Sequence, residues 1–300
     1  MQKIIEWFKS LFKKQAIPQV KIEHNTPAIP DHEPIKPETI DWDEWTMKAI
    51  DISQGFEGSD PWANITGNFD GAYLTCGALG FTWKYNNQPP MILEYVNKHG
   101  ADKLLSLMPK TGAEYIHAAK LGEQGGKDIV SKWSQGNKVR EPYYSELRAF
   151  WKSKEMKDIQ IKAAWKMMGV FAMNKTLEGQ KFFSLESPKF SHFAYWFDQA
   201  VLNGTGQTVP FGTRITREFF DYQTKEGQYL RSDFKKNQNL WREIIAKTHN
   251  PLDNEVLMIM AWERAKKSRF EFIPVTMCRR GTLAMGEGYV NGKYWKFDWA

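Results

Sequence analysis

Glu57 and Asp70 are the two residues whose type and spacing best suit catalysis. Glu57 follows a candidate helix at a glycine break, between Phe56 and Gly58, and Asp70 lies 13 residues on in a glycine-rich stretch. Cleavage of a glycosidic bond needs two carboxyl groups facing each other across the sugar: one partly desolvated and protonated, the other ionised to activate water or stabilise the cation. A helix end beside an aromatic ring raises a carboxyl pKa, while a glycine-flanked aspartate stays solvated. Glu57 therefore fits the desolvated, protonated member of such a pair and Asp70 the ionised one. Spacing alone does not select this pair, because the chain carries 35 acidic residues.

Other chemistries find less support. The six histidines, His24, His32, His99, His117, His192 and His249, show no metal-ligand spacing to a carboxylate or cysteine, so no metal or other cofactor is expected. Gly122-Glu-Gln-Gly-Gly-Lys127-Asp128 has the glycines and lysine of a phosphate loop, but its spacing is short and Asp128 stands where Ser or Thr is required. There is no G-x-S-x-G elbow for a serine hydrolase. Three Asn-x-Thr triplets, at Asn64, Asn174 and Asn203, carry little weight without a secretory signal. Two cysteines, Cys76 and Cys278, exclude a disulfide-rich scaffold and leave room for one bridge.

The elements that must position the carboxylates divide the 300 residues into three expected parts. Residues 1–14, MQKIIEWFKSLFKK, form an amphipathic pattern: Ile4, Ile5, Trp7, Phe8, Leu11 and Phe12 fall within an arc of roughly 160°, opposite a lysine-rich face. Such a helix lies on an anionic membrane or docks on protein. Residues 15–40 are a linker, because Pro18, Pro27, Pro30, Pro34 and Pro37 permit no long helix. Residues 41–300 are the main domain. Asp41 can cap a first helix bearing Trp42, Trp45, Ala49 and Ile50. Gly55 to Phe81 is rich in turns and short strands. Helical patterns follow from Pro90 through Val96, Ala101 to Met108, Tyr144 to Phe171, Phe190 to Leu202, Leu240 to Ala246 and Val256 to Lys267. Asn291-Gly292 marks a two-residue hairpin near the C-terminal end. The expected class is mainly α, with a small β element near residues 65–83.

Asp70-Gly71-Ala-Tyr-Leu-Thr75-Cys-Gly77-Ala-Leu-Gly80-Phe81 resembles the D-G-x-x-x-T-x-G-x-x-G-F segment of glycoside hydrolase family 46. These are the chitosanases of the lysozyme superfamily, to which chitosanase-like peptidoglycan hydrolases of phages and bacteria are related. The resemblance implies a lysozyme-like, two-lobed helical domain and an inverting hydrolysis. It assigns Asp70 as general base, Thr75 as the residue that positions the attacking water, and Glu57, in Ser53-Gln-Gly-Phe-Glu57-Gly58, as general acid. Phe193-Ala-Tyr-Trp-Phe-Asp198 is similar to an aromatic-then-Asp helix behind the family's cleft, and Arg279-Arg280 to its Arg-bearing end. In the family an aspartate and arginines support the acid, so the resemblance places Asp198 there with Arg269 or Arg280 as partner. The 13-residue gap between Glu57 and Asp70 is shorter than in the chitosanases. It implies a trimmed hairpin, and leaves inversion less firmly implied than the carboxylates.

The net charge is +6, but residues 1–15 sum to +3, residues 16–45 to −5 and residues 46–300 to +8. Chitosan is a polycation and asks for an acidic cleft. A basic domain suits peptidoglycan, whose peptides carry carboxylates, over chitosan among the aminosugar polymers. Trp62, Tyr73, Trp83 and Tyr85 are candidate platforms for sugar rings. A phage or bacterial wall lysin is therefore expected, made in the cytoplasm without a signal peptide and reaching the wall after release or membrane permeabilisation. Residues 1–14 would contact an anionic membrane. The other readings are a chitosanase and a non-catalytic, lysozyme-like wall-binding or phage structural protein. No nucleic-acid partner is expected, since charge alone favours one and no recognised motif is present.

Overall fold

The first helix, α1 (Trp42–Glu57), starts where the sequence indicates: the Asp41 carboxylate accepts the Glu44 N–H at 2.9 Å and satisfies one of the open donors of the first turn. The structure is a computed structural model that describes residues 40–57, 62–68, 71–206, 208–212, 217–247 and 252–299. The amphipathic helix expected at 1–14 and the linker up to residue 39 lie outside the described residues, as do Asp70 and the side chain of Glu57.

After α1 come three two-residue strands, β1 (Ile65–Thr66), β2 (Thr75–Cys76) and β3 (Phe81–Thr82), in one antiparallel sheet of order β1-β2-β3. This is the β element expected at 65–83. Ile65 pairs with Cys76 and Cys76 with Phe81, and these three side chains are buried. Strand side chains alternate between faces, so Thr66, Thr75 and Thr82 form a row on the opposite face.

Helices α2 (Gln88–His99), α3 (Ala101–Leu107), α4 (Gly112–Lys120) and α5 (Glu123–Trp133) follow, then a small hairpin of β4 (Ser134–Gln135) and β5 (Lys138–Val139). The rejected phosphate-loop segment lies in and before α5. Its glycines serve packing: a Cβ at Gly126 would lie 2.1 Å from Cδ1 of Trp83, and one at Gly125 2.1 Å from the Ala118 carbonyl oxygen. The region expected as one long helix over 144–171 is divided into α6 (Tyr143–Lys152), α7 (Lys154–Ala164) and a π-helical turn, Trp165–Gly169. Ser153 makes the break, its extended backbone leaving α6 while its hydroxyl accepts the Met156 N–H at 3.3 Å and caps α7.

The remainder comprises α8 (Val170–Phe182), α9 (Phe190–Asn203), α10 (Arg231–Lys247), α11 (Leu252–Ala265), α12 (Ile273–Met285), and a hairpin of β6 (Glu287–Val290) and β7 (Lys293–Lys296). Val290 pairs with Lys293 across Asn291 (φ 53°) and Gly292 (φ 76°), the left-handed pair a two-residue turn of this type requires.

The molecule is mainly α, as the sequence indicates, and has two apolar clusters. One gathers α1, α9, α10, α11 and α12 around Trp196, Phe197, Trp241 and Leu257. The other gathers the three-stranded sheet and α2 to α7 around Trp83, Tyr115, Trp133 and Trp151. Leu79, in the turn after Thr75, packs against both. Cys76 belongs to the second cluster and Cys278 to the first; both are free, so the bridge that two cysteines permitted is not formed.

Candidate active site

α1 delivers the chain to Glu57, and its last turn is held from three directions. Arg279 on α12 donates to the Ser53 carbonyl at 3.2 Å and lies 5.5 Å from the centre of the Phe56 ring. Asn291, in the β6–β7 turn, donates its side-chain N–H to the Phe56 carbonyl. Trp295 on β7 meets Phe56 edge-on at 5.1 Å and leaves no room for a side chain at Gly55, where a Cβ would lie 2.8 Å away. The last four carbonyls of a helix have no partner within it; Asn291 satisfies one of these at Phe56, and Arg279 adds a bond to a carbonyl just before them at Ser53.

Asp198, on α9 and fully buried, pairs with Arg279 at 2.7 Å. A buried ion pair is sensitive to loss of either member, because the remaining charge is stranded. This corrects the sequence expectation of Arg269 or Arg280 as the partner. Arg269 is exposed and sits over the Phe272 ring at 4.9 Å. Arg280 is fully buried but points its guanidinium to the Asn203 side chain. Burial lowers the pKa of Arg280, while nearby Tyr195 and Asp198 favour its charge. Burial also pushes the Tyr195 hydroxyl well up.

Thr75 occupies the central strand of the sheet, on the face away from the apolar cluster. Its hydroxyl oxygen is buried and has no hydrogen-bond partner among the described residues; the same holds for Thr66, directly across the strand pair. Thr75 shares this with the buried hydroxyls of Thr66, Tyr95, Ser134, Tyr195 and Thr282, and each of them has capacity left to bond water or a ligand. The backbone around Thr75 is fixed by buried amides. Gln160 on α7 accepts the Ala78 N–H at 2.8 Å and donates to the Trp151 carbonyl at 2.8 Å. Gln88 on α2 donates to the carbonyls of Leu74 at 2.7 Å and Phe81 at 2.6 Å. Gly77 takes φ 83°, and a Cβ there would lie 2.6 Å from the Gln160 carbonyl oxygen. The glycine in the motif is thus demanded by both conformation and space.

The four proposed platforms differ in exposure. Trp83 is fully buried, with its indole N–H on the Gly122 carbonyl at 2.7 Å, so its faces are not available to a sugar. Tyr85 is 69% exposed. Trp62 is half-buried, with Lys157 Nζ 5.3 Å from its ring centre. Tyr73 adopts φ 64°, unusual for an aromatic residue; its N–H is taken by the Asn68 side chain at 3.1 Å and its hydroxyl donates to Glu123 at 3.0 Å. Asn68, Tyr73, Lys127, Ser131 and Ser134 line an open cleft of about 400 Å³ beside this strand.

One carboxylate escaped the sequence reading. Asp51, on α1 before Glu57, has its pKa raised by partial burial, against a hydrogen bond with Trp62 and the charge of Lys157. No spacing in the sequence marks it, because only the fold brings Trp62 and Lys157 to it.

The arrangement thus has a rigidly held helix end on one apolar cluster and a threonine-lined strand on the other, with Leu79 packed against both. No family model matches the sequence, and no curated protein does. Among solved structures the chain is similar to one described as a chitosanase complex, at 13% identity over 84% of this chain and 95% of that one, with a TM-score of 0.41.

Proposed function

We propose that the protein is a glycosidase that cleaves the glycan strands of bacterial peptidoglycan by two-carboxylate hydrolysis. Glu57 acts as general acid, Asp70 as general base, and Thr75 holds the attacking water. The observation that carries the reading is Thr75 itself: the residue to which the family resemblance gives the water has a buried hydroxyl with no described protein partner. The ion pair of Asp198 and Arg279 supports the helix end that leads to Glu57. Glu57 is the last residue of α1, at the helix end whose dipole disfavours added negative charge.

Peptidoglycan is preferred to chitosan on charge. The net +8 of residues 46–300 attracts a polymer bearing peptide carboxylates and repels a polyamine. The 1–14 segment is assigned to contact with an anionic membrane, and its deletion should weaken binding to anionic liposomes while leaving activity on isolated wall intact.

The test is mass spectrometry of purified peptidoglycan digested by wild type, Glu57→Gln and Asp70→Asn, with chitosan as a parallel substrate. New reducing ends made by wild type and lost in both variants are expected. Free peptide termini would overturn the glycosidase reading, cleavage of chitosan alone would overturn the substrate, and full activity of Glu57→Gln would remove Glu57 as the acid.

A further inference from the structure

We infer that the β6–β7 hairpin is a clamp on the end of α1, and that Asn291 at its tip is a positioning residue for the proposed acid. The inference rests on the Glu57 assignment for its catalytic meaning and on geometry for the clamp.

The hairpin is anchored independently of α1. Asp233 on α10 accepts the Gly292 N–H at 2.7 Å, and Asn237 on the same helix donates to the Tyr289 carbonyl at 2.8 Å and accepts the Tyr289 N–H at 2.6 Å. Trp241, also on α10, donates to the Glu287 carbonyl at 2.9 Å. The turn is thus fixed to a helix remote in sequence and presents one side-chain donor outward. That donor takes the Phe56 carbonyl, the peptide group that joins Phe56 to Glu57. Trp295 from the same hairpin fills the space over Gly55 and Phe56. Asn291 therefore does two things: it tolerates the left-handed backbone of the turn, as Gly or Asp would, and it supplies a donor that neither of those can. The second property is the one the turn does not need. Holding the peptide just before Glu57 sets where the acid's backbone lies, and a misplacement of about 1 Å can cost about a hundredfold in rate.

Asn291→Gly keeps the turn and removes the donor; Asn291→Asp keeps shape and turn preference and presents an acceptor to a carbonyl. Both are expected to lower kcat on purified peptidoglycan about tenfold with KM unchanged within twofold, and to speed hydrogen exchange in residues 53–57. A control, Tyr294→Phe, removes the hydroxyl that bonds Glu287 within the hairpin and is expected to leave kcat and that exchange unchanged. Unchanged exchange at the helix end in both Asn291 variants would overturn the clamp, whether or not the enzyme assignment stands. Faster exchange with kcat unchanged, in a protein that Glu57→Gln inactivates, would overturn the positioning role alone. Full activity of Glu57→Gln would count against the assignment of the acid and leave the clamp to the exchange result.

Discussion

Gln160 and Ala78 are 82 residues apart, and the side-chain carbonyl of one takes the backbone N–H of the other at 2.8 Å in the interior. Helix α7 thereby fixes the turn that follows Thr75. Gln160→Leu keeps the volume close and leaves the Ala78 N–H and the Trp151 carbonyl without partners. A stranded buried amide costs about 1–3 kcal/mol. Urea unfolding should show a loss of about 2 kcal/mol, with activity reduced at temperatures well below the new midpoint because the strand is no longer held. A variant as stable as wild type would mean that water replaces the amide.

Arg279 and Asp198 are expected to behave as a pair. Arg279→Met and Asp198→Leu should each cost roughly 3–5 kcal/mol, because each leaves a buried charge alone. The double variant should cost less than the two added together. Arg269→Met, at an exposed position, should change stability by less than about 0.5 kcal/mol. Denaturant midpoints of the four proteins decide this, and additive losses would show that the two charges act independently.

How much of this was readable from the sequence depended on how local each signal is. The Asp41 cap and the Asn291-Gly292 turn are decided within a few residues, and the glycines at 71, 77 and 80 mark the sheet by their left-handed backbones. α5 was hidden because Gly125 and Gly126 argue against a helix, and only the close approach of Ala118 and Trp83 explains them. α12 was hidden for the opposite reason. Pro274 through Met285 is buried almost all round, so no amphipathic period appears. The partner of Asp198 was missed by one residue: Arg279 and Arg280 are neighbours in sequence but point about 100° apart on a helix, and composition cannot say which faces α1. Trp83 looked like a sugar platform for want of any sequence mark that separates a buried indole from an exposed one.

Acid should act on the chain through Asp253. Burial alone would raise its carboxyl, but hydrogen bonds from His192 and Lys189 outweigh burial and hold it well below the usual carboxylate range. A depressed carboxylate contributes stability that is present above the unfolded value, about 3.9, and lost as pH falls through the lower folded value. Asp253→Asn should therefore be less stable than wild type at about pH 5, and the gap should close progressively below about pH 4. Thermal midpoints across that range measure it. A gap that persists undiminished to about pH 2 would show that the asparagine loses packing rather than charge.

Thr75 gives a case in which stability and activity should part. Its hydroxyl is buried without a described partner, so the folded protein gains little from it. Replacing an unsatisfied polar group by an apolar one of the same shape is close to neutral or stabilising. Thr75→Val should thus melt at or above the wild-type temperature. If the hydroxyl holds the attacking water, the same change should lower kcat by about a hundredfold, the size of effect seen when one polar group that orients a reacting atom is removed. Thr66→Val, across the strand pair, should have a smaller effect on kcat and a similar neutrality in stability. Thr82→Val should leave kcat unchanged, because its hydroxyl already accepts the Asn87 side chain at 3.3 Å. Reducing-end release from peptidoglycan and calorimetry on the three variants check the order. Equal activity of Thr75→Val and wild type would remove Thr75 from the water site and leave its orphaned hydroxyl a feature of folding alone.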